Sequence, residues 1–199
     1  MFELFKSEIW RLKIWIVIPA ILYLLLNSAS IYFGEYIDSG RMIGTVHTVV
    51  FAISSLLLGL FQFHAYKKPS RWIYLINRPA SFIGLCLILL AAGALIILLQ
   101  FVIPDLMLTL TMDSLTPYLI EIRHYYQAIY VLFISLAFYL SGVYIQLSPS
   151  KGGFLVLVLP IIAVNSLLKS GPVLIISALI MLWLLLLVIS VFNANIHSK

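Results

Sequence analysis

The residues able to do chemistry gather in one stretch of this chain. From Phe63 to Ser81 it interleaves Lys67, Lys68, Arg71 and Arg78 with Tyr66, Trp72 and Tyr74. Basic groups beside aromatic rings suit contact with anionic lipid headgroups or the seating of a short helix on a protein surface. Elsewhere reactive groups are sparse. His47, His64, His124 and His197 are scattered without a His-Glu-x-x-His or comparable ligand spacing, and the single cysteine, Cys86, lies inside an apolar run. A zinc site needs about four ligands, so neither a metal site nor an internal disulfide is expected. Ser54-Ser55 lacks a Gly-x-Ser-x-Gly elbow, and no Gly-x-x-x-x-Gly-Lys-Ser/Thr phosphate loop occurs. The chain therefore reads as a non-catalytic protein without a cofactor, and any ATP hydrolysis falls to a partner chain.

The elements that must position these residues are dictated by composition. Of 199 residues, 63% are hydrophobic and 10% charged, with a mean hydropathy of +1.14 and a pI of about 9.4. A water-soluble domain carries about 25% charged residues. The deficit excludes a soluble enzyme, a disordered chain and a nucleic-acid-binding module, and leaves an all-α integral membrane protein. Lipid offers no partner to unpaired backbone groups, so apolar runs of about 20 residues cross it as helices. Five such runs occupy 14–33, 43–63, 82–103, 125–146 and 173–192. A sixth, 153–168, is short and carries Pro160, so it crosses steeply or enters as a broken or re-entrant helix. The whole of 1–199 forms one transmembrane domain of six spans, preceded by an interfacial helix over 1–13.

Under that count, with both termini cytoplasmic, nine of the twelve Lys and Arg fall inside: Lys6, Arg11, Lys13, Lys67, Lys68, Arg71, Arg78, Lys151 and Lys199. Arg41, Arg123 and Lys169 fall outside with most of the acids. A cleaved leader ending near Asn27-Ser28-Ala29-Ser30 is the competing reading of the N-terminus. Glu3 and Glu8 in the leading segment, and the long apolar run that follows, favour a retained first helix. Between spans three and four, 104–121 alternates Leu106, Leu108, Leu110 and Met112 with polar neighbours and is expected to lie on the outer surface. A fourth helix starting at Pro117 and ending at Gln146 would be about 45 Å long and project beyond the hydrocarbon core.

Two short cytoplasmic helices are predicted. In the first, Phe2, Phe5, Ile9 and Leu12 share a face, while Glu3, Lys6, Ser7 and Lys13 point elsewhere, and Trp10 and Trp15 suit the headgroup boundary. It serves as a plain membrane anchor or carries a signal. The second runs from Arg71 to Arg78, with Ser70 as its N-cap, Pro79 disfavouring helical geometry at Arg78, and Ser81 capping the third span. Trp72, Leu75, Ile76 and Pro79 fall on one face, Arg71, Tyr74 and Arg78 on another. Charge alone would set topology without this punctuation, although a loop whose bases merely touch anionic lipid remains the simpler reading.

This architecture, with Arg71-Trp72 followed by Leu75-Ile76-Asn77-Arg78-Pro79, resembles the permease subunits of ABC-2-type transporters. In that family a coupling helix between spans two and three rests on the ATPase, and a Leu-x-x-x-Pro stretch leads into span three. The resemblance implies a coupling helix here, with Lys67, Lys68, Arg71, Trp72, Tyr74, Leu75 and Arg78 as its ATPase-docking residues. The first three are basic where the family usually has acids. It also implies a second permease subunit, identical or different, an ABC-type ATPase partner, export as the activity, and residence in a bacterial cytoplasmic (inner) membrane. A non-transporting adaptor or assembly factor is the alternative.

Polar stripes carry the remaining expectation. Gly44, Thr48, Ser55, Gly59 and Gln62 align on span two, and Ser135, Tyr139, Gly142 and Gln146 on span four. Such stripes face protein or a cavity. Helix packing through small residues is one reading; the other places Ser55, Gln62, Ser135, Tyr139 and Gln146 on a path or subunit interface fitted to an amphiphile or hydrophobic peptide.

Overall fold

A computed structural model describes residues 2–33, 39–77, 81–112, 122–148, 151–167 and 173–197, and among these there is no strand. The helices are α1 (Phe2–Leu12), α2 (Ile14–Phe33), α3 (Ser39–His64), α4 (Pro69–Ile76), α5 (Phe82–Met112), α6 (Ile122–Leu147), α7 (Val158–Leu167) and α8 (Val173–His197). One 3₁₀ turn, Ala65–Lys67, joins α3 to α4, and another, Lys151–Leu157, leads into α7. Among the described residues, four stretches are long and apolar enough to cross a membrane: Thr48–Lys67, Phe82–Gln100, Ile129–Leu147 and Ile175–Asn195.

The outer surface agrees with that reading. On α8, Ile175, Leu179, Leu182 and Leu186 are exposed at helical spacing, and on α2 so are Ile14, Val17, Ile18, Ile21, Leu22 and Leu25. Stripes of this length would be a liability in water and are the normal covering of a helix in lipid. The chain is a multi-pass helical membrane protein.

Its centre is the pair α3 and α6. A methyl group added at Gly59 would overlap the carbonyl oxygen of Tyr139, and one added at Gly142 would overlap that of Leu56. Each glycine thus admits the other helix's backbone, as small residues do where no hydrophobic effect drives helices together. Around this crossing Leu58, Leu89, Ile96, Val143, Leu184 and Val188 complete one buried cluster.

α8 packs chiefly on α6, burying Ser177, Leu184, Val188 and Phe192. The Asn195 amide donates to the Leu147 carbonyl at 2.7 Å, joining the C-terminal ends of the two helices. They therefore run parallel, and the chain between them must return from one end of the bundle to the other. The helical part of that return, Lys151–Leu167, has a contour length of about 29 Å along its two axes at ideal rise. Seven residues rise at about 2.0 Å in the 3₁₀ turn and ten at about 1.5 Å in α7. Stretching the first part as a 3₁₀ helix lets a short apolar run reach nearly as far as an ordinary span.

A proline accounts for one further inter-helix contact. Pro19 lies inside α2 and has no N–H to give to the carbonyl four residues back, at Trp15. The side-chain amide of Gln100, on α5, donates to that orphan oxygen.

Several expectations need correction. α5 does not end at Ile103; it continues through Pro104 to Met112, so the first half of the predicted surface segment is helix. A proline removes one N–H, and a membrane helix tolerates that loss through local backbone adjustment. Ser70 is not the cap of α4, because Pro69 occupies its first turn and Lys68, extended at φ −71° and ψ 125°, precedes it. Proline's fixed φ is already helical, which draws the start two residues upstream. α4 closes at Ile76 with Asn77 as its C-cap, two residues before Arg78. The cap of α5 is as expected, with Gly84 N–H donating to Ser81 Oγ at 3.2 Å. Arg78, Pro79 and the stretch 113–121, including the expected helix start at Pro117, lie outside the described residues.

Candidate functional site: the basic end and its buried polar network

Two features meet at the end of the bundle where α3 gives way to α4. The first is α4 itself. Its inward face is apolar, and Trp72, only 6% exposed, sets its ring edge-on against Phe192 of α8 with centroids 5.6 Å apart. Leu75, one turn on, is fully buried. Arg71, Ile73 and Tyr74 are exposed, Tyr74 to 60%, and so are Lys67 and Lys68 beside them. Of the predicted docking residues, Trp72 and Leu75 thus seat α4 on its own chain, whereas Lys67, Lys68, Arg71 and Tyr74 are exposed at the surface.

The second feature was hidden from the sequence. α1 buries Leu4, Glu8 and Leu12, a face rotated from the predicted one, and leaves Phe2 and Trp10 exposed. A carboxylate on the inward face of a helix must find partners or forfeit several kcal/mol in lost hydration. Glu8 finds two. The Tyr66 hydroxyl donates to its Oε1 at 2.6 Å, and Arg11 pairs with its Oε2. The same guanidinium donates to the Gln62 carbonyl at 3.1 Å and lies 5.5 Å from the centre of the Tyr66 ring, within cation–π range.

From Gln62 the network enters the bundle. Its amide nitrogen donates to the Leu89 carbonyl on α5 at 2.8 Å, and its Oε1 accepts the Tyr139 hydroxyl of α6 at 2.7 Å. Tyr139 is buried, its ring filling the space that the absent side chain of Gly93 leaves on α5. Glu8, Arg11, Tyr66, Gln62 and Tyr139 thereby link α1, the 3₁₀ turn, α3, α5 and α6 through hydrogen bonds and one ion pair.

The two polar stripes meet inside the chain. Gln62 and Tyr139 bond each other, Gly59 and Gly142 interlock, and Ser55 and Ser135, on the same stripes, are buried. The hydroxyls of Ser55 and Ser135 and the Oε1 of Gln146 have no hydrogen-bond partner among the described residues. Gln62 and Tyr139 stood on the predicted path; Glu8, Arg11 and Tyr66 did not belong to any predicted site. An acid in an otherwise amphipathic helix with Arg three residues on was the available signal, but the third partner lies 58 residues away.

No family model, curated protein or solved structure matches the chain.

Proposed function

We propose that this chain is the membrane-spanning permease subunit of an ATP-driven, ABC-type exporter, working with a second permease subunit and a separate ATPase. The observation that carries the reading is α4. A helix of two turns is opened by Pro69, closed at Asn77 and bolted to the bundle by Trp72 and Leu75, yet it presents Arg71, Ile73 and Tyr74 outward beside Lys67 and Lys68. A topology signal needs the charges only. A rigid platform aimed away from the bundle is what a docking partner requires.

The parallel arrangement of α6 and α8 supports a six-span count, since 151–167 then supplies the return crossing, with a contour length of about 29 Å against a hydrocarbon thickness of about 30 Å. On that count both termini and α4 face the cytoplasm of a bacterial inner membrane, where ATP is available. The adaptor reading has one observation in its favour: the stripes carrying Ser55, Gln62, Ser135 and Tyr139 pack against each other within the chain, as helix packing alone would have them.

Purification of the tagged chain from its native membranes separates the two. The permease reading expects a stoichiometric partner whose sequence carries the phosphate loop that this chain lacks, lost on Arg71→Glu with Tyr74→Ala. Recovery of the intact chain without such an ATPase would favour the adaptor.

A further inference from the structure

The buried network begins where the docking surface ends. Tyr66 is followed immediately by Lys67, Lys68 and α4, and its hydroxyl is held by Glu8. Glu8 is held by Arg11, Arg11 reaches the Gln62 carbonyl, and the Gln62 side chain holds Tyr139 at the crossing of α3 and α6. Every group in the series but Arg11 is buried to less than a tenth of its surface. Stability is a poor explanation for such an arrangement, because apolar side chains of the same volume commonly replace a buried ion pair at no loss. Directional bonds add fixed distances between elements, and each member here spans two of them.

We propose that this network is a strut that carries displacement of α4 to the α3–α6 crossing, with Glu8, Arg11, Tyr66 and Gln62 as positioning residues and Tyr139 as its inner terminus. The inference rests on the reading of the chain as an ATPase-coupled permease. It explains why α1, whose own surface bears Phe2 and Trp10 outward, turns its carboxylate inward: α1 braces Tyr66 from the side, so the joint between α3 and α4 cannot fold when α4 is pushed. It also explains the fit of Tyr139, whose ring lies against Gly93 while its backbone lies against Gly59, so that its movement would be felt on α3, α5 and α6 together.

Tyr66→Phe and Tyr139→Phe each remove one hydroxyl and keep the ring, so both variants should express and retain the ATPase. Stimulation of ATP hydrolysis by the membrane subunit should fall about tenfold in each, the order expected for one buried hydrogen bond in a charged network. The double variant should be no worse than either, because both cut the same strut. Full stimulation in both single variants, or losses that multiply, would overturn the proposal. A second measurement needs no partner. Spin labels at Lys6→Cys and Lys68→Cys, in a Cys86→Ala background, should report one narrow distance that broadens on Tyr139→Phe. An unchanged distribution would overturn the strut whatever the ATPase result, whereas failure of the wild-type chain to bind an ATPase would count against the permease reading alone.

Discussion

Glu8 shows how one side chain can reorganise a helix. Sequence periodicity groups Phe2, Phe5, Ile9 and Leu12 on one apolar face of an interfacial helix, a reading that counts only neighbours along the helix. The structure turns the helix so that Glu8 lies between Leu4 and Leu12, because Tyr66 and Arg11 together satisfy its carboxylate. Removing one partner of such a pair strands a charge, at a cost of about 3–5 kcal/mol, while removing both is far milder. Arg11→Met should therefore destabilise the protein strongly, and Glu8→Gln in the same chain should recover much of the loss. Thermal unfolding in detergent checks this; a double variant as unstable as Arg11→Met would show that the charge of Glu8 is not what Arg11 serves.

At the scale of elements, the bounds most readable in the sequence were those set by local chemistry. α2 begins and ends at the predicted Ile14 and Phe33, α5 starts after its Ser81 cap, and α8 starts at Val173. What escaped the sequence were the continuation of α5 through Pro104 and an effect that a neighbouring helix decides, the bond from Gln100 to the Trp15 carbonyl freed by Pro19. The second makes a specific prediction. Gln100→Leu should cost about 1–3 kcal/mol by leaving that part-buried oxygen unpaired. In a Pro19→Ala background, where residue 19 regains an N–H for the same oxygen, the cost should largely vanish. Equal losses in the two backgrounds, read as unfolding midpoints, would exclude this account of Gln100.

At the scale of the molecule, the candidate site was half legible. The basic, aromatic stretch from Lys67 to Tyr74 stands out in the sequence, and the structure presents most of it at the surface; the network behind it joins residues as far as 77 positions apart, which no local pattern reveals. The same long-range logic governs topology. The bond between Asn195 and Leu147 places the ends of α6 and α8 together, so reporters fused after Leu147 and after Asn195 should read on the same side of the membrane, the cytoplasmic one. Opposite sides would remove 151–167 from the crossings and with it the six-span architecture.

The central claim is that α4 is the platform on which an ATPase acts, and the most direct measurement is ATP hydrolysis by the complex reconstituted in lipid, with and without a changed platform. Lys68→Glu with Arg71→Glu alters only exposed groups, so the chain should insert and fold as before. The account predicts that this variant abolishes stimulation of the ATPase at physiological salt and that wild-type stimulation weakens as salt rises. Undiminished stimulation in the charge-reversed variant would contradict it.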